Sequence, residues 1–187
     1  DGMDLALSDS FDAETAAGLP DDKTVIAAAE RLAAKLEALR LAQPAEPFVG
    51  PAILSGRAAG VFFHEIFGHR VEGHRQKDES EGQTFAKRLG TKVLPEFLTV
   101  AFDPTLRRSQ DVDLFGYYRF DDEGIAARRV EVVRNGVLEA FLMSRSPLDK
   151  FEKSNGHGRR APGFEVVSRQ SNLLVESRNA VPQEKLR

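Results

Sequence analysis

Histidines and one glutamate cluster in a single short stretch of the chain, between Ser55 and His74. Three of the four histidines fall there, at positions 64, 69 and 74, and Glu65 follows the first of them directly. Neutral imidazole nitrogens are preferred zinc ligands, and a carboxylate beside the ion can accept protons from water. We therefore predict that His64 and His69 bind zinc and that Glu65 acts as a general base.

The element that must position these side chains is a helix that begins after Ser55, a good N-cap residue. Apolar residues cover every face of this helix, which predicts that it is buried. They are Ala58, Ala59, Val61, Phe62, Phe63, Ile66 and Phe67. A carboxylate and two imidazoles are costly to bury without partners, and a metal ion suits all three. The alternative is that His64 and His69 are ordinary hydrogen-bonded core residues.

The spacing of the two histidines does not suit a regular helix. In the H-E-x-x-H motif the histidines are four residues apart and lie on one helix face. Here the motif is H-E-x-x-x-H, and the extra residue places His69 about 140° around the helix from His64. Both rings reach one ion only if the helix carries a π-bulge or ends near Gly68. We expect a bulge, bend or end between Phe63 and His69.

This stretch resembles the metal-binding motif of the TldD/PmbA family, the modulators of DNA gyrase. The resemblance covers most of the chain from Phe48 onward, in separate motifs that occur in the expected order. These are HEIFGHRVEGH, Gly116 with Asp121-Asp122-Glu123-Gly124, Arg134-Asn135-Gly136-Val137-Leu138, Asn155-Gly156-His157-Gly158-Arg159-Arg160, and Arg169-Gln170-Ser171-Asn172. It implies a TldD-type zinc metallopeptidase that hydrolyses unstructured peptides, with His64 and His69 on zinc and Glu65 as general base.

Further site residues follow from the resemblance and from position. The loop with His157, Arg159 and Arg160 matches the family pattern, and we expect it to bind the peptide or stabilise the oxyanion. Glu72 follows the metal motif closely enough to hydrogen-bond a ligating histidine. The family usually has an aspartate where this chain has His74. That residue remains open as a surface residue, a substitute ligand or a peptide contact.

The chain contains no cysteine, so it has no disulfide and no thiolate metal ligand. In TldD-like peptidases the third zinc ligand is, by family resemblance, a cysteine well downstream of the histidine helix. We therefore expect a longer protein, truncated here at its C-terminal end, and expect this chain alone to bind zinc weakly and to be inactive. Candidate third ligands within it are Glu72, His74, His157 and an acid of the 121–123 turn. The alternative function is a non-catalytic PmbA-like partner or a peptide-binding module.

Composition limits the class of protein. The net charge is -3 and the pI is about 5.9, which give no reason to expect nucleic acid as a partner. No apolar run reaches membrane-spanning length, and the acidic start lacks the features of a signal peptide. We expect a cytoplasmic protein that binds a peptide substrate and forms a homodimer, or a heterodimer with a PmbA-like subunit.

The remaining patterns predict an α+β fold in two parts. Residues 1–46 form a lead-in and an amphipathic helix with one apolar stripe. The stripe consists of Val25, Ala29, Leu32, Leu36 and Leu39. Residues 47–187 form the metallopeptidase domain, a largely antiparallel sheet with the buried metal-motif helix packed on it.

Several strands are predicted for this sheet. Alternating apolar residues indicate strands at 98–102 and 114–120, and a short strand broken by Pro51 is expected at 48–54. Asn135-Gly136 is a strong signal for a hairpin turn between two further strands. The acids at 121–123 could suggest a calcium loop, but the ligand spacing of one is absent, which favours a tight turn.

Overall fold

The computed structural model describes residues 4–77, 80, 83–110 and 112–186. Its contacts divide the chain into two units, Asp1–Ala52 and Ile53–Arg187. We predict the boundary near residue 46, and the division falls slightly later, between Ala52 and Ile53. Within the described ranges, no helix combines the length and the apolar character that crossing a membrane requires.

The first unit contains a short 3₁₀ helix, Ala16–Gly18, and helix α1, Asp22–Leu41. Asp21 caps α1, its side chain accepting a hydrogen bond of 2.9 Å from the backbone of Thr24. A helix therefore forms where the stripe predicts one. The stripe itself is not buried within the unit, because Ala28 is the buried residue of α1 and the stripe residues Val25, Leu36 and Leu39 are exposed.

The second unit is an α+β arrangement of short strands with few helices. The strands are β1 (Leu98–Phe102), β2 (Arg108–Ser109), β3 (Val112–Asp113), β4 (Val130–Arg134), β5 (Val137–Leu138), β6 (Gly158–Arg159), β7 (Val167–Ser168) and β8 (Leu173–Ser177). Four of them form one antiparallel sheet in the order β5-β4-β1-β8, and β2 with β3 and β6 with β7 form antiparallel pairs. The prediction of a largely antiparallel sheet is confirmed.

The hairpin between β4 and β5 turns at Asn135-Gly136, as predicted. Asn135 has φ 48° and Gly136 has φ 80°, the left-handed pair that a two-residue hairpin turn requires. In the centre of the sheet, Val100 of β1 faces Val133 of β4 and Val175 of β8. The core that forms around the sheet consists of Phe67, Val71, Val100, Phe102, Val130, Val132, Val133, Leu138, Phe141, Leu142 and Met143.

Helix α2 (Gly56–Ile66) carries the first part of the histidine motif, and the prediction that it is buried is wrong for this chain. None of its residues is buried, and Val61, Phe62 and Ile66 are 63%, 46% and 46% exposed. Phe63, in its C-terminal half, packs against the core of the unit. An apolar helix is therefore left mostly uncovered within the second unit.

Two predicted strands are also absent. Residues 48–54 form no strand, and Phe48 and Val49 are 77% and 102% exposed. Residues 114–120 contain a turn and one isolated β-bridge, between Phe120 and Ala126, and no strand. Other loops take up part of their backbone groups. The N–H of Gly116 donates to the Asn172 side chain at 2.8 Å, and that of Tyr118 donates to the Pro104 carbonyl at 3.0 Å.

Candidate metal centre

The end of α2 determines how the two histidines meet. The helix stops at Ile66, with the N–H of Phe67 donating to the Phe63 carbonyl at 3.1 Å. A 3₁₀ helix, Gly68–Val71, follows at once and carries His69. Because this turn is wound differently from α2, His69 need not point 140° away from the first histidine, the angle of a regular helix. The predicted break between Phe63 and His69 is confirmed.

The break brings the two imidazole rings together beside Glu65. The ring centroids of His64 and His69 are 4.6 Å apart, at an interplanar angle of 74°. Glu65 Oε1 lies 3.8 Å from His64 Nε2, and Glu65 Oε2 lies 3.9 Å from His69 Nε2. Among the described residues these three side chains are the group able to hold a metal ion, with one ligand atom from each within 4.8 Å of the others.

The donor set fits zinc in kind and nearly in distance. Two imidazole nitrogens and a carboxylate oxygen are all common zinc ligands. Bonds of about 2.0–2.1 Å in tetrahedral geometry require donor atoms roughly 3.4 Å apart. The ligand atoms would therefore close by about 1 Å around an ion, which small rotations of the exposed His64 and Glu65 side chains can supply.

Glu72 supports His69 from behind. Its side chain is fully buried, and Oε1 lies 3.2 Å from His69 Nδ1. Oε2 accepts a hydrogen bond of 2.8 Å from Arg75 Nε and lies 3.7 Å from Arg169 Nη1, so this carboxylate forms ion pairs with two guanidinium groups. An ionised carboxylate only accepts hydrogen bonds, so His69 must carry its proton on Nδ1. The lone pair of Nε2 then faces the group formed with His64 and Glu65.

Two residues near His69, Arg169 and Gln170, are part of a predicted family motif but are not among the predicted site residues. Gln170 Nε2 lies 3.3 Å from His69 Nδ1, and the Gln170 amide occupies the space that a Cβ on Gly68 would fill. A half-turn of the amide would present its oxygen to the Nδ1 hydrogen. The only local signal for this contact is Gly68, a residue with no Cβ directly before the second histidine.

His74 lies outside the group of ligand atoms. It is partly buried, and burial lowers the pKa of its imidazole, with the carboxylate of Glu72 acting in the opposite direction. Its Nδ1 is buried and has no hydrogen-bond partner among the described residues. The structure thus brings Glu72 to His69 but leaves His74 apart from the candidate ligands.

His157 is an interior residue rather than a lining residue of a cleft. It is 0% exposed, its Nδ1 lies 3.2 Å from the Asn155 carbonyl oxygen, and its Nε2 lies 3.1 Å from Ser171 Oγ. Burial lowers the pKa of His157 to about 4, so the ring is neutral at pH 7. With both nitrogens occupied and the ring buried, His157 has no free donor for a substrate oxyanion.

The two arginines of the same loop differ from one another. Arg159 lies 3.3 Å from Asp122 Oδ1 and stacks 4.3 Å above the Tyr118 ring, so its guanidinium is held by the segment 118–122. Arg160 is exposed, and its backbone N–H donates to Asp122 Oδ2 at 2.9 Å. Within the described part of the chain its guanidinium has no ion-pair partner. Arg160 is therefore the freer of the two for a ligand.

The acidic turn is a structural element. Asp121 is buried, and its carboxylate accepts hydrogen bonds from the backbones of Glu123, Ile125 and Gly158 at 3.0, 2.8 and 3.0 Å. Glu123 accepts one of 2.6 Å from the Arg145 backbone. These carboxylates stabilise the turn, so they are not free to serve as the third zinc ligand.

A family model, the PmbA/TldA metallopeptidase C-terminal domain, matches residues 49–187. The chain belongs to the PmbA/TldA metallopeptidase family. A metalloprotease of Archaeoglobus fulgidus is 38% identical over 127 residues, 67% of this chain and 28% of that protein. A metalloprotease of Methanocaldococcus jannaschii is 32% identical over 148 residues, 78% of this chain and 31% of that protein.

Other members of the PmbA/TldA family extend these findings. A zinc metalloprotease TldD homologue of Saccharolobus solfataricus is 32% identical over 95 residues, 51% of this chain and 20% of that protein. The crystal structure of TldE from Thermococcus kodakarensis matches the fold with a TM-score of 0.55 at 20% identity, over 68% of this chain and 27% of that one. This chain spans about a third or less of the relatives named here.

Proposed function

We propose that the chain carries the metal-binding and proton-transferring part of a zinc-dependent peptidase. The observation that carries the proposal is the His64–Glu65–His69 group, with ligand atoms within 4.8 Å of one another at the end of α2. Membership of a metallopeptidase family and the names of the relatives support it. An intact group also argues against the alternative of a non-catalytic module.

Zinc, when bound, would supply Lewis-acid chemistry, because it polarises a carbonyl group and lowers the pKa of water. His64 and His69 would hold the ion through neutral imidazole nitrogens. Glu72 keeps the proton of His69 on Nδ1 and so leaves Nε2 for the ion. Glu65 would accept a proton from the attacking water and return it to the leaving nitrogen as the peptide C–N bond breaks.

The test of this function separates metal binding from proton transfer. In the full-length protein, Glu65→Gln should keep its zinc affinity, while hydrolysis of an unstructured peptide by the zinc-loaded variant should fall by roughly two to four orders of magnitude, the usual worth of a general base. His64→Ala should lose the metal itself, whereas the matched control His74→Ala should retain it. Undiminished hydrolysis in Glu65→Gln would remove that residue from the mechanism.

We also propose that the chain acts together with a second subunit of the same family, either another copy or a PmbA-like subunit. Family membership and the likeness of its fold to TldE support this proposal. Sedimentation velocity of the protein alone and mixed with a PmbA-like subunit measures it. A sedimentation coefficient that stays monomeric in both samples would reject the proposal.

A further inference from the structure

A cleft lies on the second unit between Arg160 and Arg169, around the turn that connects β6 to β7. Its volume is ≈ 420 Å³, within the range of about 300–1,000 Å³ typical of ligand pockets. The lining residues are Arg160, Ala161, Phe164, Glu165, Val167 and Arg169. Two cations, one anion and three apolar side chains thus surround a space large enough for one side chain of a peptide together with the peptide's terminal group.

Arg160 presents an available guanidinium to this cleft. Its main chain is fixed by the hydrogen bond of 2.9 Å from its N–H to Asp122 Oδ2. Its exposed side chain has no ion-pair partner in the described ranges, in contrast to Arg159, which Asp122 and Tyr118 hold. A guanidinium of this kind can form a bidentate pair with a carboxylate at little structural cost.

Arg169 connects the cleft to the candidate metal centre. Its backbone N–H donates to the His157 carbonyl at 2.9 Å, which fixes its position. Its Nη1 is 3.7 Å from Glu72 Oε2, and 42% of its side chain is exposed. Since Glu72 Oε1 lies 3.2 Å from His69 Nδ1, one carboxylate separates the guanidinium of the cleft from the candidate metal ligand.

The apolar part of the cleft is unusually open. Phe164 is 73% exposed, although a phenylalanine gains free energy when it is covered. It lines the same space as Ala161 and Val167. A ligand that fits this surface combines one negative charge with an apolar side chain next to it.

We infer that this cleft binds the last residue of a peptide, with Arg160 and Arg169 on the free C-terminal carboxylate and Phe164 against an apolar C-terminal side chain. This inference rests on the proposed peptidase function and narrows its substrate class to peptides with a free C-terminus. An extended chain advances about 3.3 Å per residue, so a few residues lead from the cleft to the metal centre. Cleavage then releases a short C-terminal fragment.

Binding of two matched peptides tests the inference without turnover. Both are unstructured, carry a fluorophore at the N-terminus and end in leucine, one as the free acid and one as the amide. Fluorescence anisotropy with the 187-residue chain, without added metal, should show roughly tenfold or more tighter binding of the acid, the usual strength of a charge-assisted contact. Equal affinity for the two peptides would overturn the inference.

Arg160→Gln should abolish the preference for the acid, and because this side chain has no ion-pair partner among the residues that the structure describes, the variant should fold, as circular dichroism would verify. The matched control Arg134→Gln removes the same charge from the exposed end of β4 and should retain the preference. Phe164→Ser should weaken both peptides alike. If Arg134→Gln removes the preference as fully as Arg160→Gln, the preference arises from general charge attraction and not from a specific site.

Hydrolysis of the same peptides by the full-length, zinc-loaded protein distinguishes the two proposals. Preferential binding of the acid without hydrolysis would support the cleft as the site for the C-terminus and would reject the peptidase function. Hydrolysis of the acid and amide peptides at equal rates would support the peptidase function and would reject the cleft as the site for the C-terminus.

Discussion

The contact between Glu72 and His69 illustrates how a buried charge serves a neighbouring exposed site. Glu72 has no solvent exposure, yet it meets one imidazole and two guanidinium groups, so its burial is compensated. The contact of Glu72 with a ligating histidine can be predicted from sequence, because Glu72 lies three residues after His69. Arg169 and Gln170 belong to a motif of the family resemblance, but nothing near them in sequence indicates that they lie beside His69 and Glu72.

Replacing Glu72 with glutamine should weaken metal binding. A glutamine side chain can donate as well as accept, so it no longer fixes the proton of His69 on Nδ1, and zinc affinity should fall by roughly 10- to 100-fold. Competition with a chromophoric chelator measures the affinity, and Glu139→Gln is the matched control on the exposed surface. Equal affinities in Glu72→Gln and the parent protein would show that Glu72 has no effect on the ligand.

His157 should make stability depend on pH. Its pKa is lowered from 6.5 to about 4 in the folded chain, so the unfolded chain binds the extra proton first as the pH falls. The stability gained from the neutral ring is complete above pH 6.5 and is lost between pH 6.5 and 4, by up to about 3 kcal/mol. Urea unfolding of the parent protein and of His157→Gln at pH 7, 5.5 and 4.5 should show that their difference in free energy of unfolding shrinks as the pH falls. The same dependence of the free energy of unfolding on pH in both proteins would contradict the lowered pKa of His157.

Among the elements of the fold, the end of helix α2 matters more for the candidate metal centre than the burial of the helix does. The apolar pattern of α2 correctly predicted a helix, but a pattern cannot say which element covers it, and the described elements of the second unit leave its face exposed. The hairpin at Asn135-Gly136 was predictable because its signal is local. The failed strand at 114–120 has the right alternation, but distant loops accept its hydrogen bonds.

Two glycines of this region offer a matched pair of substitutions. A Cβ on Gly68 would meet the amide of Gln170, whereas a Cβ on Gly60 would meet nothing within 4 Å. Gly68→Ala should displace Gln170 from His69 and reduce zinc affinity. Gly60→Ala should leave zinc affinity unchanged and raise the free energy of unfolding by up to about 1 kcal/mol, through helix propensity. Chelator competition and thermal unfolding measure both quantities, and unchanged zinc affinity in Gly68→Ala would refute a role for the Gln170 contact.

For the molecule as a whole, the number of ligands limits metal affinity. Catalytic zinc sites normally hold three protein ligands, and assigning Glu65 to proton transfer leaves two imidazoles among the described residues. We expect the 187-residue chain to retain well under one zinc ion per molecule after dialysis against metal-free buffer. Elemental analysis, with a His64→Ala, His69→Ala double variant as the blank, measures this. Stoichiometric zinc would mean that the chain completes its own site, and His74 would be the first side chain to test.

The contact between Gln170 and His69 joins residues 101 positions apart. This separation has a kinetic consequence, because helical turns form within about a microsecond whereas pairing of distant strands requires closure of a long loop. His64 and His69 can therefore approach one another early, on a local turn. The side chains of residues 169 and 170 arrive only when the pair of β6 and β7 packs beside residues 73–76. An ion captured by the nascent chain would exchange rapidly until that late step, so we expect the refolding sheet, rather than the metal, to set the rate at which the centre matures.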